Sequence, residues 1–168
     1  MERGELERGL ERLHAESFGW ALSCCGRDRD LAADVLQSAY VQVLSGAARF
    51  AGRSTLRTWL FGVIRRVALA ELARVRRRTA VEGAAASPLE GHDGVEQRLD
   101  EADRTAELIA ALATLSDRQR EVLMLVFYHD MTLDDAARVM GISAGSARTH
   151  YHRAKQLLLA RLSVEARP

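Results

Sequence analysis

The residues of this chain best suited to chemistry on a macromolecule lie in the stretch MGISAGSARTHYHRAKQLL, Met140 to Leu158. Gly141 can take the positive φ of a tight turn, and Ser143 is a natural helix N-cap. Ala136 and Ala137, just upstream, are small enough for two helices to cross closely, and Ile142 would plug the turn between them. The second helix then presents Ser143, Ser146, Ala147, Arg148 and Thr149 in its first turns, with His152, Arg153 and Lys155 further along. Helix N-termini suit phosphate, and arginine suits phosphate or the acceptor edge of guanine. The expected chemistry is DNA binding by a helix-turn-helix.

A second cluster lies in FAGRSTLRTWLFGVIRRVALAELARVRRR, Phe50 to Arg78. Phe50, Trp59 and Phe61 are interleaved there with Arg53, Arg57, Arg65 and Arg66, and Arg49 precedes them. Aromatic rings among cations suit single-stranded nucleic acid, whose bases stack and whose backbone needs neutralising. Trp59 and Phe61, spaced to Val63 and Ile64, are expected in the core. The arginines and the loop from Gly46 to Arg53 remain the candidates for contact.

Other chemistries find no support. His14, His92, His129, His150 and His152 are scattered, no His, Cys and acid cluster has metal-ligand spacing, and there is no phosphate-binding glycine loop. Cys24 and Cys25 are sequence neighbours, which rarely bridge, so two plain thiols are expected. The reading is of a non-enzyme with no metal and no cofactor, acting by binding and strand opening.

These residues need helices to position them. Two prolines in 168 residues, with 48% hydrophobic and 28% charged residues, are the composition of a globular, all-α chain. Leu6, Leu10, Leu13, Phe18, Ala21 and Leu22 recur at helical spacing until Gly26 to Asp30 closes the element. A helix is expected from Leu31 to Leu44, with Val35, Leu36, Ala39, Tyr40, Val43 and Leu44 on one broad face and Asp34, Gln37 and Ser38 on the other. Ser54 is the expected cap of a third helix that runs to about Arg78. Ser116 with Gln119, Thr132 with Asp135, and Ser143 then signal three helix starts in close succession.

Charge divides the chain further. Residues 1–78 hold 14 Arg against nine acids, 79–105 two Arg against seven acids, and 106–168 eight basic residues against seven acids. A basic front half, an acidic connector and a near-neutral back half suggest a nucleic-acid partner. The segment TAVEGAAASPLEGHDGVE, from Thr79, reads as a flexible linker. The expected architecture is two small helical domains, an N-terminal helical bundle over 1–78 and a C-terminal four-helix domain with the helix-turn-helix over 101–168, joined by the acidic linker 79–100. No apolar run reaches the roughly 18 residues of a membrane span, and the charged start has no signal-peptide character. A cytoplasmic location is expected.

Three segments together resemble one family. LAADVLQSAYVQVL, then RFAGRSTLRTWLFGVIRRVAL, then LSDRQREVLMLVFYHDMTLDDAARVMGISAGSARTHYHRAKQLL are similar, in order, spacing and linker, to the extracytoplasmic-function (ECF) group of bacterial sigma-70 family sigma factors. The last segment alone is shared by many DNA-binding domains, whereas the second joined to the first is much more specific. The resemblance implies that Asp34, Gln37, Ser38 and Val41 grip the clamp helices of the β′ subunit of core RNA polymerase. It implies that Arg49, Phe50, Arg53, Ser54, Arg57, Arg65 and Arg66 serve minus-ten recognition and melting, with a flipped base held out of the stack. It also implies that the helix from Ser143 enters the minus-thirty-five major groove, that the β flap is a further contact, and that an anti-sigma factor regulates the chain. The chain departs from the family pattern at Ser38, where an acid is usual, at Arg66, where Asn is usual, and at His150, where Arg or Lys is frequent. An autonomous helix-turn-helix regulator, and a sigma-like mimic that titrates an anti-sigma factor, stay open as alternatives.

Overall fold

The computed structural model describes residues 3–81 and 110–164, which fall into two compact units. Every regular element among the described residues is helical. Most of the expected linker lies outside the described residues.

The first unit holds α1 (Arg3–Arg12), α2 (His14–Cys24), α3 (Arg29–Leu44) and α4 (Leu56–Val81). Leu6 to Leu22, expected as one element, is two helices that break at Leu13, whose φ of −91° and ψ of 0° leave the helical region. Gly9 on α1 abuts Leu56 at the start of α4, where a Cβ would overlap that leucine. Positive φ at Gly26 and Arg27 turns the chain from α2 into α3. Asp28 then caps α3, its Oδ1 accepting from the Leu31 N–H at 3.0 Å.

The three longer helices pack on one another around a small-and-large core. Ala32, Val35, Leu36, Ala39 and Val43 on α3 follow the helical period and are all buried. They meet Leu60, Phe61, Val63, Ile64 and Val67 of α4, and Trp20 and Ala21 of α2. Trp20, absent from the expected stripe, is 1% exposed, and its indole N–H donates to the Phe61 carbonyl at 3.0 Å. Leu44, expected to face inward, is exposed, and Tyr40 is half-buried. The cap of α4 is Thr55 and not Ser54, because Thr55 Oγ1 accepts from the Thr58 N–H at 3.1 Å. The Ser54 hydroxyl instead donates to the Thr55 carbonyl. Helix α4 passes the expected end at Arg78 and continues to Val81.

The second unit holds a helical turn at 110–113 (α5), then α6 (Asp117–Leu123), a π-helical turn at Met124–Tyr128, α7 (Leu133–Met140) and α8 (Ala144–Val164). The capping box at Ser116 and Gln119 is formed in both directions. Arg120 closes the end of α5 by donating to the Leu112 and Leu115 carbonyls. Leu115, Leu123 and Ala154 form a buried cluster covered by Leu112, Tyr151 and Leu158. The π-helical turn was not expected: it inserts an extra residue into the ladder, buries Leu125, and leaves Phe127 and Tyr128 exposed.

Candidate nucleic-acid interface

The helix-turn-helix is built from its caps. Thr132 Oγ1 accepts from the Asp135 N–H at 3.1 Å to start α7. Gly141 ends it in the left-handed region, with φ 66° and ψ 38°. The Gly141 N–H donates to the Arg138 carbonyl, and the Ile142 N–H to the Ala137 carbonyl at 3.0 Å. Ser143 Oγ then accepts from the Ser146 N–H at 3.0 Å and opens α8. Ala136 and Ala137 on α7 are buried, as the close crossing requires.

On α8 the buried stripe is Ala147, Tyr151, Ala154 and Leu158, at helical spacing, with the two alanines fully buried. Ala147 is therefore corrected. It was expected among the groove-facing residues, but it is 0% exposed and packs inward. Ser143, Ser146, Arg148, Thr149, His152 and Arg153 all face solvent. The Thr149 hydroxyl turns back to the Gly145 carbonyl at 3.0 Å, which leaves its methyl group as the outward feature. Arg148 Nη2 donates to Asp134 Oδ1 on α7 at 3.1 Å. The exposed face thus combines hydroxyls, two guanidiniums and the amide-rich start of a long helix, a set that suits an acidic, acceptor-rich partner.

In the first unit the loop between α3 and α4 carries the second cluster. Gly46 and Gly52 adopt φ of 79° and 70°, conformations that glycine takes without strain. The Ala48 N–H returns to the Gln42 carbonyl at 2.8 Å, and Arg49 Nε donates to the Gly46 carbonyl at 3.3 Å. Phe50 from this loop meets Trp59 of α4, ring centroids 5.3 Å apart and tilted by 56°. Both rings are half-buried. Trp59, expected in the core, is only half-buried and is held by Phe50, while Phe61 takes the core position. Arg49 and Arg53 are exposed, Ser54 and Arg65 are half-buried, and Arg66 is exposed.

Arg57 differs from the other cations. Its Nε lies 2.7 Å from Glu16 Oε2 of α2, and its guanidinium sits 5.5 Å from the Phe61 ring centroid. The structure engages this arginine within the fold.

A third surface lies on α3. Asp34, Gln37, Ser38 and Val41, at i, i+3, i+4 and i+7, run along the face opposite the buried stripe. Val41 is 60% exposed, and Leu44 continues the apolar edge. An exposed valine beside polar residues on a rigid helix suits a protein partner more than a nucleic acid. Among the described residues no group of His, Cys and acids could hold a metal ion. No helix among them is long and apolar enough to cross a membrane.

Comparison with known proteins places both units. Residues 10–78 match the model of sigma-70 region 2, and residues 105–158 that of sigma-70 region 4. The chain is 30% identical over 148 residues to the ECF RNA polymerase sigma factor SigC of Mycobacterium tuberculosis, covering 84% of this chain and 75% of that protein. It is likewise 30% identical over 147 residues to the ECF RNA polymerase sigma factor EcfG of Rhodopseudomonas palustris, covering 87% and 78%. Its fold is that of the sigma factor RpoE from Bartonella quintana, solved with the anti-sigma factor NepR: TM-score 0.73 and 23% identity, over 95% of this chain and 98% of that one. The two matched regions and these relatives agree, and the chain belongs to the extracytoplasmic-function group of sigma-70 family RNA polymerase sigma factors.

Proposed function

We propose that this sigma factor divides its work among the three surfaces described above. Residues 1–78 bind core polymerase and open the minus-ten region, and residues 101–168 read the minus-thirty-five element. The acidic segment 79–100 connects them. Asp34, Gln37, Ser38 and Val41 on α3 meet the β′ clamp helices, while the second unit meets the β flap and promoter DNA. The chain performs no covalent catalysis and works in the cytoplasm, where core polymerase and the chromosome are.

The observation that carries this reading is the Phe50–Trp59 ring pair. A free helix-turn-helix regulator needs only the second unit and gives no reason for two half-exposed aromatic rings beside Arg49 and Arg53. A melted strand does: an unstacked base finds a ring face, and its phosphates find cations. An anti-sigma factor is the third class of partner. The Bartonella relative was solved bound to one, and α3 here offers an exposed apolar edge that such a protein could cover.

The test is co-migration of the purified chain with core RNA polymerase on a sizing column, followed by binding of a labelled forked promoter. Stable co-migration, with forked DNA bound only by the complex, is expected. Failure to associate with core, together with tight binding of duplex by the free chain, would replace this reading with the autonomous regulator.

A further inference from the structure

Asp134 and Arg148 stand on different helices of the helix-turn-helix, and the arginine Nη2 donates to the carboxylate Oδ1 at 3.1 Å. Their side chains are 59% and 61% exposed. Ion pairs so exposed add little to folding stability, so maintenance of the fold does not account for this one. The neighbouring acid shows the contrast. Asp135 is spent on its own helix, bonded to the Thr132 cap and paired with Arg138 one turn on. Asp134 instead reaches across to the exposed start of α8.

Position gives the pair its meaning. Arg148 is the fifth residue of α8, on the solvent face with Ser146 and Thr149. A long, unrestrained arginine beside DNA takes the nearest phosphate, and such a contact carries no sequence information. Reading a base requires the flat fork of the guanidinium to present two N–H groups in the plane of the guanine O6 and N7 acceptors. A carboxylate bonded to one part of the fork fixes that plane and leaves other donors free. The same bond neutralises Asp134, whose lone charge the phosphates would otherwise repel.

The geometry points to Asp134 as a specificity-determining positioning residue: it holds Arg148 to one guanine of the minus-thirty-five element and away from the phosphates. This rests on the assignment of α8 to that element.

The test uses holoenzyme, the full chain bound to core polymerase, and a promoter library with a randomised minus-thirty-five segment. Selection by the wild-type complex defines the preferred bases, and selection by Arg148→Ala identifies the base pair that depends on the arginine. Asp134→Ala should lose preference at that same base pair by roughly fivefold or more, the low end of what a bidentate contact supplies. Affinity for scrambled duplex should rise, and the slope of log affinity against log salt should steepen by roughly one as the arginine turns to phosphate. Asp134→Asn, of the same shape, should move both readouts in the same direction, which covers the case of a folding defect in the alanine variant.

Unchanged preference in both variants overturns the proposal, as does a loss spread evenly over all positions. If the wild-type chain forms no complex with core, or its complex selects no minus-thirty-five sequence, the functional reading itself falls and takes this one with it. A wild-type complex that selects normally, with Asp134 variants that select identically, removes only the role of the pair.

Discussion

The indole of Trp20 and the ring of Phe61 lie parallel, 4° apart in plane and 5.7 Å between centroids, while the indole N–H donates to the carbonyl of that same Phe61. One side chain of α2 thus holds α4 through both its face and its edge. Trp59, two residues before Phe61, is turned away from this anchor and left half-buried. Trp20→Ala should cost about 3–5 kcal/mol, the range for emptying a large aromatic site in a packed core. Trp20→Phe keeps a ring and removes the donor, so roughly 1 kcal/mol is expected for the hydrogen bond, plus the smaller volume change. Urea unfolding followed by circular dichroism distinguishes the two. Equal losses would show that the hydrogen bond, and not the packing, dominates.

Arg53 and Arg57, four residues apart, should part company when mutated. Arg53 is exposed in the loop, whereas Arg57 is engaged by Glu16 and by the Phe61 ring. Arg53→Ala should leave the thermal midpoint unchanged and reduce promoter opening, read as permanganate reactivity of thymines in the melted strand. Arg57→Ala should lower stability by about 1 kcal/mol, given a half-exposed pair and a cation–π contact. Normal opening by the Arg53 variant would remove the loop from the melting surface.

Phe50 and Trp59 carry a related expectation. Base-on-aromatic stacking contributes about 1–3 kcal/mol per base. Trp59→Ala in a holoenzyme should therefore weaken binding of forked DNA by roughly 5- to 150-fold, while affinity for a fully paired duplex hardly moves. An equal effect on both DNAs would assign Trp59 to packing alone.

Much of this is legible in the chain itself, and what is not has physical causes. The capping box at Ser116 and the Gly141 turn were legible because capping and positive φ are local needs that few residue types meet. The choice between Ser54 and Thr55 was not, since adjacent hydroxyls offer the same chemistry and only the register of α4 decides. The break at Leu13 carries no glycine or proline to mark it, so two helices read as one, and the stripe expected at Phe18, Ala21 and Leu22 is instead Ser17, Trp20 and Ala21. Ala147 could have been found, because 147, 151, 154 and 158 keep helical period and the stripe is apolar throughout. Asp134 could not, because a cross-helix pair depends on the crossing geometry and leaves no periodic trace.

Gly141 offers a direct check on the turn. Its φ is 66°, yet a Cβ there would meet nothing within 4 Å. The penalty for a side chain is thus conformational and not steric: about 1–2 kcal/mol for Gly141→Ala, and less for Gly141→Asn, which visits this region more easily. Thermal unfolding of the two variants should follow that order. Minus-thirty-five binding should fall in step with stability, since the Ile142 N–H bond to Ala137 depends on the same turn. A destabilised alanine variant with unaltered DNA binding would show that the turn holds the domain but does not aim α8.

Cys25 and Cys24, side by side, should behave as different thiols. Cys25 is fully buried, and burial first, then the nearby Asp28 charge, pushes its pKa up from 9.0 to about 11. Cys24 is only half-buried. Iodoacetamide at pH 8 should alkylate Cys24 well before Cys25, a result read by peptide mass spectrometry after a brief exposure. The raised pKa also has a consequence for stability. Below about pH 9 the thiol is protonated in both folded and unfolded chains, and the full stabilisation is present. Between about pH 9 and pH 11 the unfolded chain ionises first, so stability is lost as the pH climbs toward the folded value. Tyr40, also raised by burial, contributes in the same direction. The cysteine's own share is therefore the difference between wild type and Cys25→Ala. That difference should be constant up to about pH 9 and decline above it. A difference that stays flat through pH 11 would mean that the buried thiol ionises as readily as one in water, and that its place in the core of the first unit is wrong.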